Sequence, residues 1–264
     1  MLALSLLVFT GFHMVQGYLM SNLLRYFGAC IGTLETLRIV LLSLVGKYVP
    51  GKVWILTMRS TFFAERGVPV RIVLASAGLE NVYIITTAVV LFLLTAPPPY
   101  PGLEAVQRIC GILLMIALLV SPGALVRAAN RVIVLTGREP VREGISRRRS
   151  AYYAFMFSLT WLVLGAGIWV LSAGLGAGIP LGRIPALSGI YSFSVVVGFV
   201  AFFAPGGIGV REGLFVYGLK DFLTGPEALF LALAARLFTS LSEIIALAIV
   251  LSAHRLRANR PTSP

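Results

Sequence analysis

The 264-residue sequence predicts an all-α fold: a polytopic transmembrane helical bundle with two re-entrant broken-helix hairpins, residues 1–264 forming a single integral membrane domain. Three observations point there. Hydrophobic residues make up 58% of the chain against 12% charged, and mean hydropathy is +0.92, more apolar surface than one soluble core of this length buries. The apolar residues form runs near the roughly 20 residues that cross a hydrocarbon layer of about 30 Å, and they lack the alternation of a barrel strand. Helices follow, because each satisfies its own backbone hydrogen bonds. Finally, Lys and Arg gather between the runs, the pattern that orients a membrane protein.

The runs occupy about 2–21, 28–45, 70–95, 109–126, 151–175, 186–204 and 226–252. The first lacks the basic start and small-residue cleavage site of a secretory signal, so it reads as a permanent helix. No polar stretch reaches the roughly 50 residues of a small soluble domain. Between the fourth and fifth runs, residues 127–150 hold Arg127, Arg131, Arg138, Arg142, Arg147, Arg148 and Arg149 against Glu139 and Glu143, which places this loop in the cytoplasm. The loop "TAPPPYPGLEA" has no Lys or Arg and belongs outside, whereas the C-terminal "HRLRANR" belongs inside. The stretch 47–71, with Lys47, Lys52, Arg59, Arg66 and Arg71, also belongs to the cytoplasmic side.

Two runs conflict with that orientation if they cross completely. A full crossing by 28–45 would strand Lys47 and Lys52 on the face opposite Arg25, Arg66 and Arg71. A hairpin over about 28–66, broken at Pro50 and Gly51, removes the conflict: proline fixes φ and removes a donor, and glycine permits the reversal. A full crossing by 186–204 would likewise put the basic C-terminus outside, so a second hairpin over about 186–223 turns at Pro205, Gly206 and Gly207. Broken backbone at membrane depth survives only when buried in protein or lining a polar cavity. The two hairpins enter from opposite faces, as in the inverted repeats of secondary transporters.

Glu35, Arg38, Glu80, Arg211, Glu212, Arg236 and Glu243 fall within or beside apolar runs. A charge facing lipid there costs roughly 2.5–3.5 kcal/mol, so each needs a partner or an aqueous cavity. Glu35 and Arg38, three apart, share one helix face as an ion pair. Arg211 and Glu212 follow a glycine-rich turn at the start of a helix, where free donors and the dipole favour an anion. Being adjacent they take separate partners, with Arg236 and Glu243 as suppliers; a static interhelical network is the competing reading.

The formal charge of +12, from 22 Lys and Arg against 10 acids, reflects the loops and not a nucleic-acid surface. His13 stands alone near a membrane edge and His254 lies in the basic tail, so neither suggests a metal site. Cys30 and Cys110 sit in apolar sequence without redox spacing and read as packing residues. The serines lack a nucleophile elbow, and "GAGIWVLSAGLGAGIP" reads as close helix packing instead of a phosphate loop. No catalytic residue, metal or cofactor is expected, and the protein does not read as an enzyme.

In "KYVPGKVWILTMRSTFFAERGVPVRIVLASAGLEN" and "FAPGGIGVREGLFVYGL" the sequence resembles the lysylphosphatidylglycerol synthase transmembrane-region family, which includes the flippase half of the bacterial multiple-peptide-resistance proteins. The resemblance implies that Lys47, Tyr48, Pro50, Gly51, Lys52 and Arg59 form the cytoplasmic hairpin. It implies that Pro205, Gly206, Gly207, Gly209, Arg211 and Glu212 form the other. The chain begins one hydrophobic helix later than family members usually do and lacks the aminoacyl-transferase domain of bifunctional members, so lipid synthesis is not expected.

The resulting expectation is a multi-pass cell-membrane flippase moving an anionic or aminoacylated phospholipid, or a polyprenyl-phosphate-linked lipid, between leaflets. Lys47, Lys52, Arg59 and Arg211 neutralise phosphate, Glu212 or Glu243 meets a cationic group or a proton, and Glu80 and Arg236 complete the binding set. The alternative is a non-transporting membrane partner of a glycosyltransferase or lipid-modifying enzyme, docked through 127–150. Membrane lipids are the expected partners and nucleic acid is not; homo-oligomerisation stays open.

Overall fold

The computed structural model describes residues 1–49, 53–98, 100–121, 123, 127, 130, 131, 134, 140, 144–201 and 203–258. The described chain contains helices and no strand. They are α1 (Leu2–Tyr26), α2 (Thr33–Ser43), α3 (Trp54–Ala64), α4 (Val70–Thr95), α5 (Glu104–Val120), α6 (Arg147–Gly174), α7 (Ile184–Val200), α8 (Val210–Gly218) and α9 (Gly225–Ala258). A 3₁₀ turn, Leu44–Tyr48, continues α2, and others precede α7 at Leu181–Arg183 and α8 at Pro205–Gly207. The arginines 138 and 142 and the glutamates 139 and 143 lie outside the described residues, as do Pro50, Gly51 and Lys52.

Among the described residues five segments are long and apolar enough to cross a membrane: Leu2–Tyr26, Val70–Thr95, Arg147–Gly174, Leu181–Val200 and Gly225–Arg257. The chain is therefore an integral membrane protein. Of the seven apolar runs, 186–204, expected to turn back, forms α7, which with its lead-in reaches 20 residues, while α5 ends at 17. By contrast α2 and α3 have 11 residues each, about 16 Å of helix, half of what a hydrocarbon layer requires.

Local chemistry sets the helix ends. Pro69 precedes α4, the Ser146 hydroxyl accepts the Arg149 amide at the start of α6, and Glu227 accepts both the amide and hydroxyl of Thr224 at the start of α9. Inside the helices, hydroxyls donate back to carbonyls one turn earlier, as Thr10 to Leu6, Thr87 to Tyr83 and Ser188 to Ile184. Such bonds let serine and threonine sit in an apolar bundle without an orphaned donor.

Close packing joins the spans, since lipid gives helices no hydrophobic reason to associate. The glycine-rich stretch in α6 packs as its composition predicts: a Cβ on Gly165 would lie 2.6 Å from the Cα of Ser188 on α7, and one on Gly167 would meet the Phe9 ring of α1. Around this seam Phe9, Trp161, Leu187, Ile190, Tyr191 and Phe215 form one buried cluster, while Leu19, Leu79, Tyr83 and Phe157 anchor a second. Trp161 Nε1 donates to the Ile84 carbonyl at 3.2 Å and Tyr83 to the Ser150 hydroxyl at 2.9 Å, tying α4 to α6.

Glu35 defines one face of the bundle. Its carboxylate pairs with Arg38 at 2.8 Å, Arg66 at 2.9 Å and Nε2 of His254 at 3.0 Å. The start of α2, the α3–α4 link and the end of α9 thus lie together, and α2 and α3 leave and return on the same side. At the other interruption α8 doubles back along α7, with Gly207 against Gly198 and Gly218 against Ile190.

One sequence expectation fails here. Cys30 and Cys110 are exposed, not packed: Cys30 lies in the α1–α2 link, and Cys110 lies on α5, whose Ile109, Ile112 and Leu113 are also exposed. Apolar sequence in a membrane protein marks lipid contact as readily as interior. At the end of α9 the His254 imidazole lies 3.0 Å from Glu35.

Candidate functional site

The two chain interruptions meet. Gly46, in the first, brings the end of α2 so close to α3 that a Cβ there would stand 2.7 Å from the Ile55 amide nitrogen. In the second, Gly206, Gly207 and Gly209 have φ of 58°, 71° and 82°, the left-handed region glycine enters without a steric penalty. A Cβ on Gly207 would also stand 2.9 Å from the Gly198 carbonyl oxygen, so the backbone conformation and the close approach both demand glycine. The carbonyl of Lys47 lies 3.8 Å from the Cβ position of Gly206, which places the Leu44–Tyr48 turn against the Pro205–Gly207 turn.

Beside them is a cavity of about 420 Å³. His13 and Gln16 face it from α1, Arg59 from α3, Glu80 and Asn81 from α4, Trp161 from α6, Val195 from α7, Arg211 from α8, and Thr239 and Glu243 from α9. Lys47 and Gly206 come from the interruptions themselves. His13, Trp161, Thr239 and Glu243 all fall near the middle of their helices, so the cavity sits at mid-length of the bundle.

Its charges are organised in pairs. Lys47 Nζ lies 2.5 Å from each oxygen of Glu243. Arg59 Nη1 lies 2.6 Å from Glu80 Oε2, and the two side chains are only 9% and 5% exposed. Arg236 pairs with Glu212 and donates to the Gly206 carbonyl at 3.2 Å, which pins the second turn to α9. Glu212 also accepts the Gly209 amide at 2.7 Å. Arg211 differs: it donates to the Tyr191 hydroxyl, its guanidinium carbon 4.8 Å from that ring's centre, and among the described residues it pairs with no carboxylate. Among the described residues three cations and two carboxylates line the cavity, one positive charge in excess.

Of the sequence-selected residues, Lys47, Arg59, Glu80, Gly206, Arg211 and Glu243 line this space together. Glu212 and Arg236 form the adjoining brace, and Pro205, Gly207 and Gly209 shape the turn. Tyr48 is half exposed, its hydroxyl 3.4 Å from that of Ser240, and does not line the cavity. Pro50, Gly51 and Lys52 lie outside the described residues.

Glu212 takes one donor at the start of α8, the Gly209 amide. The reading of one residue is corrected. His13 is not at a membrane edge: it is buried at mid-helix, with Nε2 4.0 Å from Glu243. Its place in the run 2–21, midway along and one turn before Gln16, was the available signal. Among the described residues no group of three His, Cys, Asp or Glu side chains is arranged to hold a metal.

Comparison with protein-family models and with curated proteins returns no match.

Proposed function

We propose that the protein is a membrane lipid flippase or transporter, whose cavity receives the phosphate-bearing head group of an anionic or aminoacylated phospholipid, or of a polyprenyl-phosphate-linked lipid, while the hydrocarbon tails stay in the bilayer. One observation supports this most: Arg211, which pairs with no carboxylate among the described residues, faces a cavity at mid-length of the bundle. A purely structural charge network neutralises itself, as Arg59 with Glu80 does. An excess guanidinium is suited to a phosphate oxygen, with Lys47 as the nearby second cation.

The interruptions are the tips of two re-entrant hairpins. For the first, the pairing of Glu35 with Arg66 and the shortness of α2 and α3 support entry and return on one face. For the second, support comes from Arg236, which holds Gly206 from a position 11 residues into α9, about 16 Å along its axis. The Glu35 face, the C-terminus and 127–150 are cytoplasmic, and the membrane is the cell membrane. The resemblance to the lysylphosphatidylglycerol synthase transmembrane-region family points to the same activity.

The test is reconstitution in liposomes carrying trace fluorescent phosphatidylglycerol, aminoacylated phosphatidylglycerol, polyprenyl phosphate or phosphatidylcholine, reading each lipid's arrival in the opposite leaflet. Movement of a phosphate lipid above protein-free liposomes, with the zwitterionic control unmoved, is expected. Equal rates with and without protein for every lipid, under an imposed proton gradient as well, would remove the transport reading.

A further inference from the structure

His13 is unlike every other polar residue of the cavity. It is 9% exposed, its Nε2 is buried without a hydrogen-bond partner among the described residues, and that atom lies 4.0 Å from Glu243 Oε1. The same carboxylate is held by Lys47 through both oxygens. Two nitrogen groups therefore flank one acceptor, one bonded and one waiting. An intramembrane imidazole beside a carboxylate is suited to bind and release a proton, since imidazole changes charge within the physiological range.

We propose that His13 is a proton-binding site that exchanges with Lys47 for Glu243, so that a proton and an anionic phosphate head group occupy the cavity together. This rests on the transport reading and adds its coupling ion. In the unloaded cavity Lys47 neutralises Glu243. A phosphate arriving at Arg211 attracts Lys47 as its second cation, which strips Glu243 of its partner. Protonated His13, already within 4.0 Å, then takes the carboxylate over. One proton enters with one monoanionic phosphodiester, and the loaded site gains no net charge. Release of either ligand favours return of Lys47 to Glu243 and departure of the other, which is the reciprocity thermodynamic linkage requires.

The neighbouring charges permit this exchange. Glu243 faces His13 from α9, Lys47 from the first interruption and Arg211 from α8, with Arg59 and Glu80 paired across the same cavity from α3 and α4. From α6 and α7 the lining contributes Trp161, Leu164, Val195 and Val196, none of which titrates. Glu243 is thus the one cavity carboxylate within reach of His13, Glu80 being engaged by Arg59.

Calorimetric titration of the solubilised protein with dioctanoyl-phosphatidylglycerol, in buffers of equal pH but different ionisation heat, counts the protons taken up. Uptake approaching one proton per lipid at about pH 7, with affinity falling about tenfold per pH unit on the alkaline side, is the expected result. In His13→Gln the uptake disappears and affinity loses that pH dependence. Phosphatidylglycerol binding with no proton uptake overturns the coupling and leaves the transport reading standing. Uptake that persists in His13→Gln overturns the assignment to this residue. Failure of any anionic lipid to bind the wild type overturns the transport reading and the coupling with it. The wild-type heats decide whether lipid and proton bind together even if this variant misfolds, and Glu243→Gln, which removes the carboxylate His13 would take over, should then abolish the uptake.

Discussion

Arg59→Met is expected to destabilise the folded protein by about 3–5 kcal/mol, because it leaves Glu80 charged and buried without its partner. The pair is the most enclosed in the described bundle, and Arg59 Nε adds a 3.4 Å bond to the Ser43 hydroxyl at the end of α2. Arg59 thus ties α3 both to α4 and to the end of α2. Arg59→Met combined with Glu80→Leu should recover most of the loss, since two apolar side chains of similar volume replace the pair without an orphaned charge. Denaturant unfolding of the solubilised protein reads both variants. If the single and double variants lose stability equally, the buried pair is not what holds α3 against α4.

Arg211→Ala is expected to leave the fold largely intact and to slow lipid movement by at least tenfold. Its structural contacts are modest: a single hydrogen bond to Tyr191 and a cation–π contact, each worth about 1 kcal/mol. A charge-assisted bond to phosphate contributes about 1.5–3 kcal/mol, and every 1.4 kcal/mol is a factor of ten. Arg211→Lys should be intermediate, retaining charge but losing the planar stack on Tyr191. Leaflet-exchange rates at matched protein density, with melting temperature measured alongside, make the comparison. A variant that melts as the wild type does and moves lipid at full rate would show that the unpaired guanidinium does not serve the substrate.

Much of this arrangement was legible before any coordinates. Hydropathy located the long helices, and Pro205, Gly206 and Gly207 located the turn between α7 and α8, because backbone chemistry is a local property; the break expected at Pro50 and Gly51 lies outside the described residues. The intramembrane charges were legible for the same reason: each is costly alone, so each announced a partner. Some partners were legible too, Arg38 for Glu35 and Arg236 for Glu212, but the partner of Lys47 was not. Lys47 and Glu243 are 196 residues apart, and only the packing of α1, α2 and α9 brings them together. His13 was misread because a single histidine in an apolar run gives no sign of the carboxylate it will meet. The cysteines were misread because hydropathy alone does not separate a face that meets lipid from one that meets protein.

The account turns on whether a lipid head group enters the mid-depth cavity. Photolabelling in liposomes with two phosphatidylglycerols, one carrying a diazirine on the head-group glycerol and one at the acyl terminus, addresses this directly. The head-group probe should label the cavity lining around Gln16, Asn81 and Thr239, with the acyl probe on outward residues such as Ile109 and Ile112 of α5. Head-group labelling confined to the basic helix ends, at Arg147–Arg149 and Arg255, would mean that the lipid only rests on the surface, and would contradict the account.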